Sequence, residues 1–141
     1  MKPRKLIALF AMALLTLPVL TACGPTRIDV AMTTYKFALS KNSAPAGEIT
    51  FHVHNDATDL THEMVILKTD LPADQLPLNN EGVVDEEGAG ITHIDEVEVE
   101  PGQASDLSVN LEKGNYVMIC NINDNNEMHY QHGMYQAFTV K

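Results

Sequence analysis

From 48 to 55 the chain reads EITFHVHN, with Ile49, Phe51 and Val53 on one parity and Thr50, His52 and His54 on the other. A period of two places side chains alternately on the two faces of a strand, and a helix with one buried face cannot use it. The same alternation returns at 94–99 and at 105–111, where Leu107, Val109 and Leu111 share a face. Runs rich in β-branched and aromatic residues at 28–39, 62–68, 116–120 and 136–140 bring the number of short strands to about seven. Pro45-Ala46-Gly47, Pro101-Gly102 and Glu112-Lys113-Gly114-Asn115 supply turns between them. The expected fold is all-β, a two-sheet antiparallel Greek-key sandwich. Residues 71–74 are expected to open a short helix, and the acidic stretch 81–90 to be loop. With 141 residues, 45% of them apolar, and no internal repeat, one domain with a modest core accounts for the chain.

Residues 1–22 stand apart from that domain. Lys2, Arg4 and Lys5 precede an almost wholly apolar run at 6–20, which is short for a membrane span and reads as a secretory leader. It ends in Leu20-Thr21-Ala22-Cys23, which resembles the box at which bacterial lipoproteins are cleaved and lipidated. The expected organisation is a lipoprotein signal peptide over 1–22, a lipidated N-terminus and short linker over 23–27, and the folded domain over 28–141. Such a protein is exported and membrane-anchored at Cys23, facing the periplasm or the cell exterior.

The chain has two cysteines. With Cys23 committed to lipid, Cys120 has no disulfide partner in an oxidising compartment, so it is either buried and inert or bound to a metal. Nine basic residues face nineteen acidic ones, and removal of the leader leaves six against nineteen, a net −13. That charge opposes nucleic-acid binding and anionic headgroups, keeps the domain soluble, and favours a basic partner.

Around Cys120 the sequence reads CNINDNNEMHYQHGM. A thiolate, an imidazole and a thioether within fifteen residues suit a soft, redox-active ion, and copper at an electron-transfer site takes two imidazoles, one thiolate and a weak axial thioether. Cys120, His129 and Met134 are candidates on this loop, and His62 stands where a polar loop enters a strand far upstream. His132 rivals His129, but lies only two positions before Met134 and has little chain with which to reach the same ion. Met128 rivals Met134 as the axial group. His52 and His54 read as exposed strand residues, His93 as a loop histidine, and Met64 and Met118 as core. Asn55 and Asn121 are expected to hydrogen-bond around the ligand loops, and Glu63 to lie beside them or at the surface.

The spread of these residues resembles the cupredoxins, or blue copper proteins. The order is Asn55, a loop, His62 and an apolar strand, then Gly114-Asn115-Tyr116 leading to Cys120, then His129-Tyr130 and Gly133-Met134 before a last strand. HEMVILKTDLPAD and CNINDNNEMHYQHGM look most like the small bacterial cupredoxin-like copper-binding lipoproteins. The likeness runs from 28 to the end. It implies one copper ion held by His62, Cys120, His129 and Met134. The chain departs from the family in the eight residues between Cys120 and His129, where NDNNEM looks like an insertion expected to loosen the site, shift its potential or expose the ion.

The resemblance implies a lipid-anchored carrier of single electrons between extracytoplasmic partners. The alternative is a Cu(I)-binding chaperone or copper-homeostasis protein of the envelope, and a third reading is a metal-free interaction module. The partner is a redox protein or copper acceptor at the membrane surface, and the chain is expected to be monomeric. An enzyme is not expected. One copper ion stores one electron, and no nucleophile sits in a strand–turn–helix context.

Overall fold

A computed structural model describes residues 24–141. The leader over 1–22 and the lipid attachment expected at Cys23 lie outside these residues. Within them the strands are β1 (Thr26–Thr33), β2 (Lys36–Leu39), β3 (Ser43–Ala44), β4 (Gly47–Asn55), β5 (His62–Thr69), β6 (Ile91–Val99), β7 (Ala104–Leu111), β8 (Gly114–Ile119), β9 (Asn123–Asp124), β10 (Glu127–Met128) and β11 (Tyr135–Val140). One sheet runs β2-β1-β4-β7 and the other β3-β11-β8-β5-β6, with β9 and β10 as a separate hairpin.

The alternation of β4 becomes the inner wall of the first sheet. Ile49, Phe51 and Val53 are fully buried beside Ile28 and Val30 of β1 and Leu107 and Val109 of β7. They meet Met64, Ile66, Met118 and Phe138 of the second sheet in one core. The rings of Phe51 and Phe138 cross it edge to face, with centroids 5.6 Å apart. Burying one such ring contributes about 2–3 kcal/mol.

β5 differs because both of its faces are covered. Met64 and Ile66 enter the inter-sheet core, while Val65 and Leu67 pack outward with Val117, Ile119, Leu76, Val84 and Tyr130. The long excursion between β5 and β6 forms this outer cover. The uninterrupted Met64-Val65-Ile66-Leu67 run is the sequence counterpart of that double burial. Tyr130 fastens the cover, because its hydroxyl donates to the Ala73 carbonyl and accepts from the Leu76 N–H, each at 2.9 Å.

Several details differ from expectation. Residues 28–39 form two antiparallel strands, because the chain reverses at Thr34-Tyr35 with Thr33 opposite Lys36. Tyr35 takes φ 55°, a left-handed conformation that no glycine or asparagine announces. No helix forms at 71–74, where the chain bends and turns instead. His93 lies within β6 rather than in a loop. The sandwich is not wholly antiparallel, since β1 pairs with β4, and β3 with β11, in parallel. β3 carries the chain to the other sheet before β4 returns, so β1 and β4 are not joined by a hairpin and are free to run the same way.

Candidate metal centre

Two loops converge at one end of the sandwich. The first leaves β4 at Asn55, whose side chain is 1% exposed. Its Nδ2 donates to the carbonyls of Leu60 and Val99, both at 2.8 Å, and its Oδ1 accepts from the Ala57 N–H at 3.0 Å. The 56–61 loop is thereby tied at both ends, and it delivers His62 at the first position of β5.

The second loop begins at Cys120, one residue past β8. The Cys120 N–H donates to the Met134 carbonyl at 3.1 Å, so the residues that begin and end the C-terminal loop sit side by side. Between them the chain makes the β9–β10 hairpin. Asp124 pairs with Glu127 across Asn125-Asn126, both at positive φ, as a two-residue hairpin turn of the I′ kind requires. The His129 N–H then returns to the Ile122 carbonyl at 3.0 Å. A compact turn follows, in which the Met134 N–H donates to the His129 carbonyl at 3.1 Å and Gly133 takes φ 99°. The residues between Cys120 and His129 therefore project outward as a hairpin, and the expected loosening is not found. His62, Cys120 and Met134 are 0% exposed and His129 1%.

The donor atoms come together inside. His62 Nδ1 and His129 Nδ1 lie 3.1 Å apart, and Cys120 Sγ lies 3.2 Å from His129 Nδ1 and 3.8 Å from His62 Nδ1. A single ion with metal–nitrogen bonds of about 2.0 Å and a metal–sulfur bond of about 2.3 Å needs separations of about 3.3–3.7 Å between its donors. The triangle therefore fits one ion with small adjustments. Met134 is buried in the same core cluster as Cys120. The Glu63 N–H points at Cys120 Sγ from 3.4 Å, a contact that favours the thiolate.

The protonation chemistry agrees with a ligand set. Burial, reinforced by the neighbouring His129 ring, lowers the His62 pKa to about 4, and burial lowers that of His129. Both imidazoles are neutral at pH 7 and able to donate a lone pair. Burial pushes the Cys120 thiol up to about 12, so no group already present holds it as thiolate, and only a cation bound at Sγ would. The Nε2 atoms of both histidines are buried without a hydrogen-bond partner, and the Thr33 carbonyl, beyond hydrogen-bond geometry, only partly opposes the His62 shift. Burying this polar triangle costs several kcal/mol unless a ligand offsets it.

The rivals are placed elsewhere. His132 pairs through Nε2 with Glu127, and its ring stacks on Tyr35 with centroids 4.5 Å apart. The methyl of Met128 packs against Gly82 in the outer cover. Met64 and Met118 are core residues, and His52 and His54 are half exposed beside Asp106 and Asp56. Asn121 bridges the loop to the outer cover. Its Oδ1 accepts from the Val84 N–H at 2.7 Å, and its Nδ2 donates to the Val84 carbonyl at 3.0 Å and to Glu86 Oε1 at 2.8 Å. Glu63 Oε1 accepts from the Asn121 N–H at 2.8 Å. Tyr35 is the residue that sequence reasoning missed. Its ring meets the His129 imidazole edge to face at 5.1 Å, which helps to seal the centre from solvent. Nothing near Tyr35 in the sequence signals that role.

No protein-family model and no curated protein matches the sequence. Solved structures do match the fold. A dithionite-reduced auracyanin from the photosynthetic bacterium Roseiflexus castenholzii is 23% identical, with a TM-score of 0.58 over 82% of this chain and 97% of that one. Rusticyanin from Thiobacillus ferrooxidans is 16% identical, with a TM-score of 0.58 over 82% of this chain and 76% of that one. Auracyanin A, described as a "blue" copper protein from Chloroflexus aurantiacus, is 17% identical, with a TM-score of 0.54 over 84% of this chain and all of that one (100%). The chain thus has the cupredoxin fold, and its His-Cys-His group fits a blue copper site.

Proposed function

We propose that this protein is a mononuclear blue copper protein that carries single electrons, with His62, Cys120 and His129 as strong ligands and Met134 as the axial one. The observation that carries the reading is the buried triangle of two imidazole Nδ1 atoms and one thiol, 3.1–3.8 Å on a side. A bound copper ion would supply the one-electron couple. The chain supplies a donor set that need not rearrange. Asn55 fixes the approach to His62, the Cys120 N–H and the Met134 carbonyl lock the two ends of the C-terminal loop, and the His129 N–H is tied to Ile122. Stiff ligands keep the reorganisation between oxidation states small, and that makes a carrier. Complete burial of the donors also speaks against a chaperone, which must present copper to an acceptor.

In this reading the mature chain begins at Cys23, where lipid holds it to a membrane outside the cytoplasm. The net charge of −13 then favours a basic redox partner, because opposite charges steer the encounter. Addition of Cu(II) to the purified mature chain should give an intense visible thiolate-to-copper band at one ion per chain, bleached by ascorbate and restored by an oxidant. Cys120→Ser should fold and lack the band. A colourless wild-type chain, or an undiminished band in Cys120→Ser, overturns the assignment. Cys23→Ser should free the protein from the membrane fraction, and unchanged fractionation with no lipid in the mass spectrum overturns the anchor.

A further inference from the structure

A second group of ligand-type side chains stands outside the buried triangle. His93 Nε2 lies 3.5 Å from Glu86 Oε2 and 3.3 Å from Glu96 Oε2. Each of the three residues offers one donor atom, and all three atoms lie within 4.8 Å of one another. Residues three apart on a regular strand face opposite sides. His93 and Glu96 nevertheless share a side, because β6 carries a bulge. Ile66 pairs with Asp95 and Leu67 with His93, which leaves Ile94 unmatched and re-aims the strand. Glu86 arrives from the outer cover. Its Oε1 is held by Asn121 Nδ2 at 2.8 Å, which leaves Oε2 toward His93. Among the described residues no lysine or arginine forms an ion pair with Glu86 or Glu96.

We propose that Glu86, His93 and Glu96 form a second metal site for a borderline divalent cation such as Zn2+. Nitrogen and oxygen donors at about 2.0–2.2 Å from a tetrahedral ion stand about 3.3–3.5 Å apart, which is the spacing His93 makes with each carboxylate. The ligand chemistry separates the two centres. The buried triangle contains a thiol and suits a soft ion, whereas one imidazole and two carboxylates suit zinc or another borderline ion. The site is half exposed, so water completes the coordination. Two carboxylates converging on one imidazole form a site of net negative charge, which attracts a dication.

The test is a titration of ZnCl2 into the mature chain preloaded with Cu(I), read from the imidazole NMR signals and by calorimetry. The His93 signals should shift and saturate at one Zn2+ per chain, while those of His52 and His54 stay in place. His93→Ala and Glu96→Gln, both at half-exposed or exposed positions of β6, should each weaken zinc binding by at least about tenfold, and His52→Ala should leave it unchanged. The readout is residue-specific, so a chain that failed to take copper would reveal itself at His62 and His129 and leave the response of His93 readable on its own. Saturable shifts absent from His93, or zinc affinity unchanged in His93→Ala, would mean that the three residues form ion pairs only.

Discussion

Asn55→Ala tests how the fold holds the centre. The substitution removes three hydrogen bonds from a residue that is 1% exposed. The Val99 carbonyl and the Ala57 N–H are buried partners, and each unsatisfied buried group costs about 1–1.5 kcal/mol at the low end of the usual range. The Leu60 carbonyl is only partly buried and recovers a water, so its loss counts for about 0.5 kcal/mol. The total is about 3 kcal/mol, a large share of the stability of a domain this size. The β4 end itself stays in place, since the Asn55 N–H still donates to the Gln103 carbonyl and the Asn55 carbonyl still accepts from Gly102. The damage therefore falls on the 56–61 loop and on the placement of His62. With a urea slope of about 2 kcal/mol per molar, the unfolding midpoint of the metal-free chain should drop by about 1.5 M. Copper affinity, measured by competition with a Cu(I) chelator, should fall by about tenfold or more, as it does when groups that orient ligands are removed. A midpoint shift below about 0.5 M would refute the assignment of Asn55 as the anchor of this loop.

Three further outcomes follow from the site. His129→Ala should lose copper while His132→Ala keeps the ion and its spin-resonance spectrum, because the His132 ring is occupied by Tyr35 and Glu127; the reverse pattern would exchange the two assignments. Met134→Leu should retain copper and raise the reduction potential in voltammetry, since an apolar neighbour disfavours the more charged Cu(II), and an unchanged potential would remove Met134 from the axial role. In the metal-free chain His62 has its folded pKa lowered to about 4 and contributes stability that is lost as pH falls from about 6.5 toward 4, while Glu63, raised by burial to about 7, contributes stability that is lost as pH rises from about 4.5 to 7. The two oppose each other, so Glu63→Gln should steepen the loss of stability on acidification from pH 7 to 4, and a slope identical to wild type in urea titrations would contradict the burial of that carboxyl.

Much of the fold was readable because local pattern and burial coincide. Alternation in β4 and β7 placed Ile49, Phe51, Val53, Leu107 and Val109 inward, and the structure buries all five. Where the local signal and the tertiary context part, the sequence was a poor guide. Thr34-Tyr35 carries residues suited to a strand, yet the chain reverses there, and the strain of a left-handed tyrosine is offset by packing against rings 94 and 97 residues away, at His129 and His132. The proline-containing stretch at 71–74 carries a plausible helix start, but Leu76 is drawn beneath Tyr130 and the chain stays extended and turned. Parallel pairing of β1 with β4 depends on the excursion through β3, and no single segment encodes it.

The candidate site was more legible than the topology because donor chemistry is scarce. A chain with one cysteine in its folded domain, six histidines and a thioether near the C-terminus offers few ways to assemble a soft site. The misleading part was NDNNEM, whose length suggested a slack loop. Length loosens a loop only if the extra residues lack partners of their own. Here Asn125 and Asn126 accept positive φ at little cost, the Asn123 side chain caps the turn by accepting from the Asn126 N–H at 3.0 Å, and Asp124 pairs with Glu127. These residues thus form a hairpin that closes on itself, and His129 re-enters the site at a position fixed by its bond to Ile122. The same hairpin carries Glu127, which takes His132 away from the metal centre and leaves its ring to stack on Tyr35. The hairpin whose length made the choice between His129 and His132 hard to read from sequence is therefore the element that separates them in space.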